Sequence, residues 1–217
     1  MLVASARASD DLVQELANQP LPFVLVNRRL AGMATSVSAA DEAGSRLAVA
    51  HLADLGHTRI GHIAGPADAD TARRRLAGFM HGLAQRGLEQ RPDVVAEGDF
   101  TEEGGFHAMT RLLNLTPRPT AVMGSSLAAT IGALAAIKRA ALRVPEDVSV
   151  IGFHDAPVAE YLDPALTTVR MPLREMAERS VECLVRLIHG EIIESEVVPI
   201  APVLVRRAST APPPQSS

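Results

Sequence analysis

One cysteine, Cys183, is all the chain has, so no disulfide framework can form within it, and a reducing cytoplasm is the expected setting. Lysine is as scarce: Lys138 is the only one in a Lys-plus-Arg total of 21, and a net charge of −4 with a pI near 6.0 gives no overall pull toward nucleic acid. Any DNA-binding surface is expected to lie elsewhere. No apolar run approaches the length of a bilayer span, and the opening MLVASARASDD lacks the basic and long apolar regions of a secretory signal. Neither a membrane partner nor export is expected. Also missing are a Gly-Lys-Ser/Thr phosphate loop, a G-x-G-x-x-G fingerprint, a G-x-S-x-G elbow and a two-histidine helical metal motif. These absences argue against nucleotide hydrolysis and dinucleotide or metal chemistry, and no cofactor or metal is expected.

What is present is a globular balance over 217 residues, 47% hydrophobic and 21% charged. Short apolar runs alternate with helical periods. LVAS, PFVLV (22–26) and SVSA (36–39) read as strands, and Ser9 or Asp10 is a candidate cap for a helix carrying Leu12, Val13 and Leu16. Asp41 or Glu42 begins a helix with Ala43, Leu47, Ala48, His51, Leu52 and Leu55 on its apolar face, and Gly56 is its expected C-cap. RIGHIAG, VVAEG, TAVMG and VSVIGF then alternate with three helices, the pattern of βαβ units in a parallel sheet covered on both faces. After Asp163-Pro164 come a short extended piece, LTTVRM, and a helix over 172–188. Its apolar face is expected to be Leu173, Met176, Ala177, Val181, Leu184, Leu187 and Ile188, before two last strands, SEVVPI and PVLVRR. Residues 211–217 read as a frayed, low-complexity tail.

In such sheets ligands bind at the carboxyl edge of the strands. The stretch GHTRIGHIAGPADADTARRRLAGF (56–79) crosses that edge and places Arg73, Arg74 and Arg75 in the first turn of a helix, where the dipole disfavours a cation. Three successive residues point three ways, so at least one should face the edge, where a guanidinium binds hydroxyls or a carboxylate. The plainer reading is solvation or an ion pair with Asp68 or Asp70. Ser125 and Ser126 follow a strand and open a helix, with His154 and Asp155 beyond the next strand as a conceivable base and orienter. Helix capping explains the serines more simply, since an adjacent His and Asp cannot readily orient one another. Of the seven histidines, His57 fits a helix C-terminus and His154 is the one expected to line a crevice.

Taken in order, PFVLVNRR, DEAGSRLAVAHLADLGHTRIGHIAGP, TARRRLAGF, GDFTEEGGFHAM, RPTAVMGSS, VPEDVSVIGF, LDPALTTVRMPLREMAERSVECLVRLI and VRRAST closely resemble the ligand-binding region of the LacI/GalR family of bacterial transcription regulators. The resemblance implies an α/β, periplasmic-binding-protein-like fold of two subdomains with parallel sheets and a small effector, sugar-like or nucleobase-like, in the cleft between them. Residues 1–39 and 171–198 would form an N-terminal subdomain, and 40–170 with 199–210 the C-terminal one. It also implies that Arg75, three residues before the Gly78-Phe79 pair, contacts the effector, with Asn27, Ser126, His154 and Asp155 as further contacts.

The chain departs from the family pattern at several points. Ser125-Ser126-Leu127 replaces Ala-Asn-Asp, His154 replaces an acid, and Ala40 replaces an Asp. No helix-turn-helix, hinge helix or leading strand-helix-strand-helix unit precedes LVAS, so the N-terminal subdomain is expected to be incomplete and poorly stable. DNA contact is expected only through a helix-turn-helix domain absent from this chain. The leading reading is an effector-sensing core that acts as a homodimer and is not an enzyme. A transporter's solute-binding protein shares the fold but needs a signal peptide or lipid-anchor cysteine, and a serine hydrolase is the third reading.

Overall fold

The computed structural model describes residues 1–4, 15–30 and 34–214. Two sheets carry the fold, and their strand sequences explain their settings. In the larger sheet the central strands are apolar or small without alternation, and all five residues of β4 (Ile60–Ala64) and of β7 (Ser149–Phe153) are buried. Strands of that kind need helices on both faces. They have them here: α1 (Asp41–Asp54) and α2 (Asp70–Gln85) pack on one face, α3 (Glu102–Leu113) and α4 (Leu127–Arg139) on the other.

The strand order is β10-β8-β7-β6-β4-β5, with β5 at Val95–Glu97, β6 at Ala121–Gly124, β8 at Thr167–Arg170 and β10 at Val203–Val205. Every pair is parallel except β10 on β8, where Val203 faces Arg170. The period of two sorts the core: Ala121, Met123, Ile151 and Phe153 join α1 and α2, while Val122 and Val150 join Met109, Leu112, Ala133 and Ile137 of α3 and α4. Close approach of α3 and α4 depends on glycine. A Cβ on Gly132 would lie 1.8 Å from the Glu102 carbonyl oxygen, and one on Gly105 2.0 Å from that of Ala129.

The smaller sheet is β1 (Leu2–Val3), β2 (Val24–Val26), β3 (Ser36–Ser38) and β9 (Glu196–Val197), all parallel, in that order. One face, with Val24 and Val37, meets Met176 and Cys183 of α6 (Leu173–Ile188) and joins the core under α1 and α2. The other face buries only Val3, Phe23 and Leu25, with Leu16, Leu30 and Ala34 partly covering them. The chain passes between the sheets three times: after Ser38, after Arg170 and after Val197.

Several expectations need adjustment. The apolar face of α6 is wider than its footprint, so Leu173, Val181 and Ile188 remain exposed, as does Val185, while Met176, Ser180 and Cys183 are buried. A short helix, α5 (Val158–Tyr161), follows β7 where sequence periodicity gave none. The tail does not fray from 211. Ala211 accepts from His57 Nε2 (2.9 Å) and Ser149 Oγ (3.0 Å) and donates back to Ser149 Oγ (3.0 Å). His57 sits at the C-terminal end of α1 as expected, its backbone N–H donating to the Leu52 carbonyl (3.1 Å), and the tail buries its ring, which also bonds Thr120 (2.9 Å). The expected cap at Ser9 or Asp10, with Leu12 and Val13, lies outside the described residues, as do 215–217.

Candidate functional site

Parallel strands send their loops out at one edge, and here the carboxyl edges of both sheets face each other. Asn27 follows β2 in a left-handed conformation (φ 54°), Asp41 opens α1 just beyond β3, Ser125 follows β6, and His154 follows β7, also left-handed (φ 73°). The first turns of α2 lie among them. Arg73 stays exposed, with its guanidinium on the Ala67 and Asp68 carbonyls, whereas Arg74 and Arg75 turn inward and are buried.

One carboxylate, on fully buried Asp41, explains why two cations tolerate burial. Arg75 Nε donates to its Oδ1 (2.7 Å) and Arg74 Nη1 to its Oδ2. Arg74 also bonds Asp70 (3.0 Å), the Ala39 carbonyl (3.0 Å) and the Asn27 carbonyl (3.4 Å), which ties α2 to both loops of the smaller sheet. Arg75 reaches further into the larger sheet: Nη1 donates to the Ser125 carbonyl (2.7 Å) and Nη2 to His154 Nε2 (2.9 Å). Its guanidinium lies 4.2 Å from the Phe153 ring centre and 5.8 Å from that of Phe100. Phe100 closes over this spot because residue 65 is glycine, where a Cβ would come within 2.2 Å of the ring.

Burial lowers the pKa of Arg75, and Asp41 opposes that effect by charge and hydrogen bond. His154 falls to about 3, first through burial and then through the charge of Arg75, so its imidazole is neutral at physiological pH. With Nε2 accepting from Arg75, the proton of the neutral ring is assigned to Nδ1. That atom is buried without a partner, as are Ser125 Oγ, Arg28 Nε and Asn27 Oδ1. Arg28 Nη1 rests on the Asn27 carbonyl (2.9 Å) and Thr71 Oγ1 (3.1 Å), and Arg29 Nε on Ser38 Oγ (2.9 Å).

Of the five residues named from the sequence, the fold gathers Arg75, His154 and Asn27 around one spot. Ser126 and Asp155 are engaged elsewhere. The Ser126 hydroxyl caps α4, accepting from the Ala129 N–H (3.1 Å) and donating to the Phe100 carbonyl (3.2 Å). Asp155 accepts from Thr168 (2.7 Å), Arg170 (2.7 and 3.0 Å) and Arg207 (2.8 Å). Burial pulls its carboxyl upward, but these bonds outweigh that and hold it at about 2. No hydrogen bond joins either serine to His154. Sequence reasoning missed Asp41 as a site residue, Arg28 and Phe100, while the ion pair with Asp70 that it offered for the arginines is made by Arg74. An acid opening a helix and two arginines closing PFVLVNRR were the available signals, and only the fold places them together.

Among the described residues no group of acidic, histidine or cysteine side chains forms a metal site, and no helix is long and apolar enough to cross a membrane. Residues 49–210 match the family described as a periplasmic binding protein-like domain. The ribose operon repressor of Escherichia coli K12 is 37% identical over 166 residues, 76% of this chain and 50% of that protein. The chain spans about half the length of the curated relatives it matches. A LacI family transcriptional regulator from Mycobacterium smegmatis superposes with a TM-score of 0.92 at 35% identity, covering 98% of this chain and 78% of that one. The transcriptional regulator CelR in complex with cellobiose gives 0.90 at 34% identity, covering 96% and 64%.

Proposed function

The chain belongs to the LacI family of transcriptional regulators, matching its periplasmic-binding-protein-like effector region, and on that premise we propose that it senses a small polar effector in the cleft between its two sheets. The observation that supports this reading is the set of buried, partnerless polar atoms around Arg75: Asn27 Oδ1 and Arg28 Nε from the smaller sheet, Ser125 Oγ and His154 Nδ1 from the larger. Leaving such atoms unsatisfied is costly, and a ligand bridging both sheets would satisfy them together. An effector that prefers one sheet-to-sheet geometry shifts the population toward it. In a protein that also carries a helix-turn-helix domain, that shift changes DNA affinity.

Residues 1–39 with 171–198, and 40–170 with 199–210, act as the two subdomains in this reading. The exposed apolar stripe of α6 (Leu173, Val181, Val185 and Ile188) supports a homodimer, and the protein works in the cytoplasm as a sensor and catalyses no reaction. The relatives' names point to sugar-linked regulation, a ribose operon repressor and a cellobiose complex, and favour a sugar-like effector here.

Ligand screening by melting-temperature shift tests the reading, with Arg75→Ala as the control. A ligand that binds in the cleft raises the melting temperature of the wild type and loses most of that shift in the variant. An equal shift in both proteins overturns the assignment.

A further inference from the structure

The charges that meet in the cleft do not balance. Among the described residues, buried Arg74 and Arg75, partly buried Arg28 and exposed Arg29 face two hydrogen-bonded carboxylates, Asp41 and Asp70, with Glu42 acting on Arg29 at longer range. Asp41 is shared by Arg74 and Arg75, and Asp70 serves Arg74 and the Arg29 backbone N–H (3.1 Å). The guanidinium bonds of Arg28 and Arg29 go to neutral oxygens. His154 adds no negative charge where the resemblance expects an acid, and Leu127 replaces a second one. Burial first, and then the charge of Arg75, lowers the pKa of Arg28, with Asp41 opposing them.

The unsatisfied atoms have the same bias. Two of the four only donate, Arg28 Nε–H and His154 Nδ1–H; the Ser125 hydroxyl donates or accepts, and Asn27 Oδ1 accepts. A neutral polyol brings a hydroxyl proton wherever it accepts from one of the two donor-only atoms. A carboxylate or phosphate offers acceptors only, and a guanidinium is the side chain that best receives it. Near Ser125 the first turn of α4, capped by the Ser126 hydroxyl, contains no acidic residue.

We infer that the effector carries an oxyanion, bound by Arg28 and Arg75 with Ser125 Oγ and His154 Nδ1 as neutral donors, while Asn27 Oδ1 receives a hydroxyl from its polar body. The inference rests on the cleft being the effector site. It specifies the ligand class as small acids built on a sugar-like frame, with a planar carboxylate or a tetrahedral phosphate.

Matched probes test it on the full chain by calorimetry and thermal shift: gluconate and glucuronate against glucose, ribose 5-phosphate against ribose, and inorganic phosphate and acetate as fragments at constant ionic strength. The charged member of a pair should bind about tenfold tighter or better than its neutral partner, and added chloride should weaken it. Tighter binding in the first pair assigns a carboxylate, and in the second a phosphate. Arg28→Gln should remove at least about tenfold in affinity for the charged probe and little for the neutral one. Ser125→Ala, which changes no charge, should weaken the same probe by about threefold or more, which guards against a folding defect in the arginine variant. Equal binding of charged and neutral partners, insensitive to Arg28→Gln but lost in Arg75→Ala, overturns the anion and leaves the sensor standing. No response to any charged probe or fragment also overturns it, and binding that survives Arg75→Ala removes the cleft reading itself.

Discussion

The two sheets are made of similar residues and differ in how much they bury. The larger one has strands of three to five residues and a separate core on each face, built from four helices. The smaller one has strands of two or three residues, shares one face with its neighbour's core, and on the other hides only Val3, Phe23 and Leu25. Since apolar burial is the main term opposing chain entropy, the larger sheet carries its own stability and the smaller one leans on it. The consequence for function is an unequal pair: a rigid half that presents Arg75, Ser125 and His154, and a yielding half that presents Asn27 and Arg28. Local opening belongs to the half with fewer buried contacts.

The strongest way to break that contrast acts on the seam. Removing the Asp41 carboxylate strands two buried guanidiniums, so Asp41→Ala should cost about 3–5 kcal/mol in denaturant unfolding. A loss under about 1 kcal/mol would show that the arginines find solvent instead, because exposed pairs contribute no more than that.

Core truncations separate the halves directly. Ile151→Ala in the larger sheet should cost about 2–5 kcal/mol and lower the main cooperative melt. Leu25→Ala in the smaller one, equally buried, should lower an earlier and smaller transition and leave the main melt in place. One sharp melt to which both truncations contribute equally erases the distinction. A gentler probe is acid. Asp155 has its carboxyl held at about 2 against an ordinary 3.8, so the stability it supplies is full above 3.8 and drains away as pH falls toward 2. Over that window the wild type should lose stability more steeply than Asp155→Asn. Both proteins carry the same buried histidines, so the difference isolates this one group, and parallel curves would show that Asp155 contributes nothing at the joint between the halves.

Most of the fold was legible because periodicity reports burial: IGHIA and SVIGF, without alternation, had to be strands covered on both faces. The α6 face was read too wide for a physical reason, since an apolar stripe shows what can be buried and not how broad a surface is there to bury it. Arg75 was legible as an inward-facing arginine only through the resemblance. The composition of the seam was not. Asp41 lies 34 positions from Arg75 and Arg28 lies 43 from Thr71, and no local pattern announces a carboxylate shared by two cations across such gaps. Ser126 and Asp155 make a complementary point: a sequence position gives a residue's type, but which partners its oxygens meet depends on distant neighbours such as Phe100 and Arg207.

The three passages between the sheets are short, and two of them share a footing. Arg170 ends β8 directly opposite Val203, which begins β10, so one passage departs and another arrives side by side. Asp155 binds the side chain of Arg170 at that end of the ladder and that of Arg207, whose N–H donates to Thr167 at the other. Two strands fixed together in this way behave as a two-ply cord: neither can swing alone. The third passage is pinned where Arg74 grips the Ala39 carbonyl. Any turn of one sheet against the other therefore carries both of these strands with it. A molecule lodged between Arg28 and Arg75 would bear on both sheets at once.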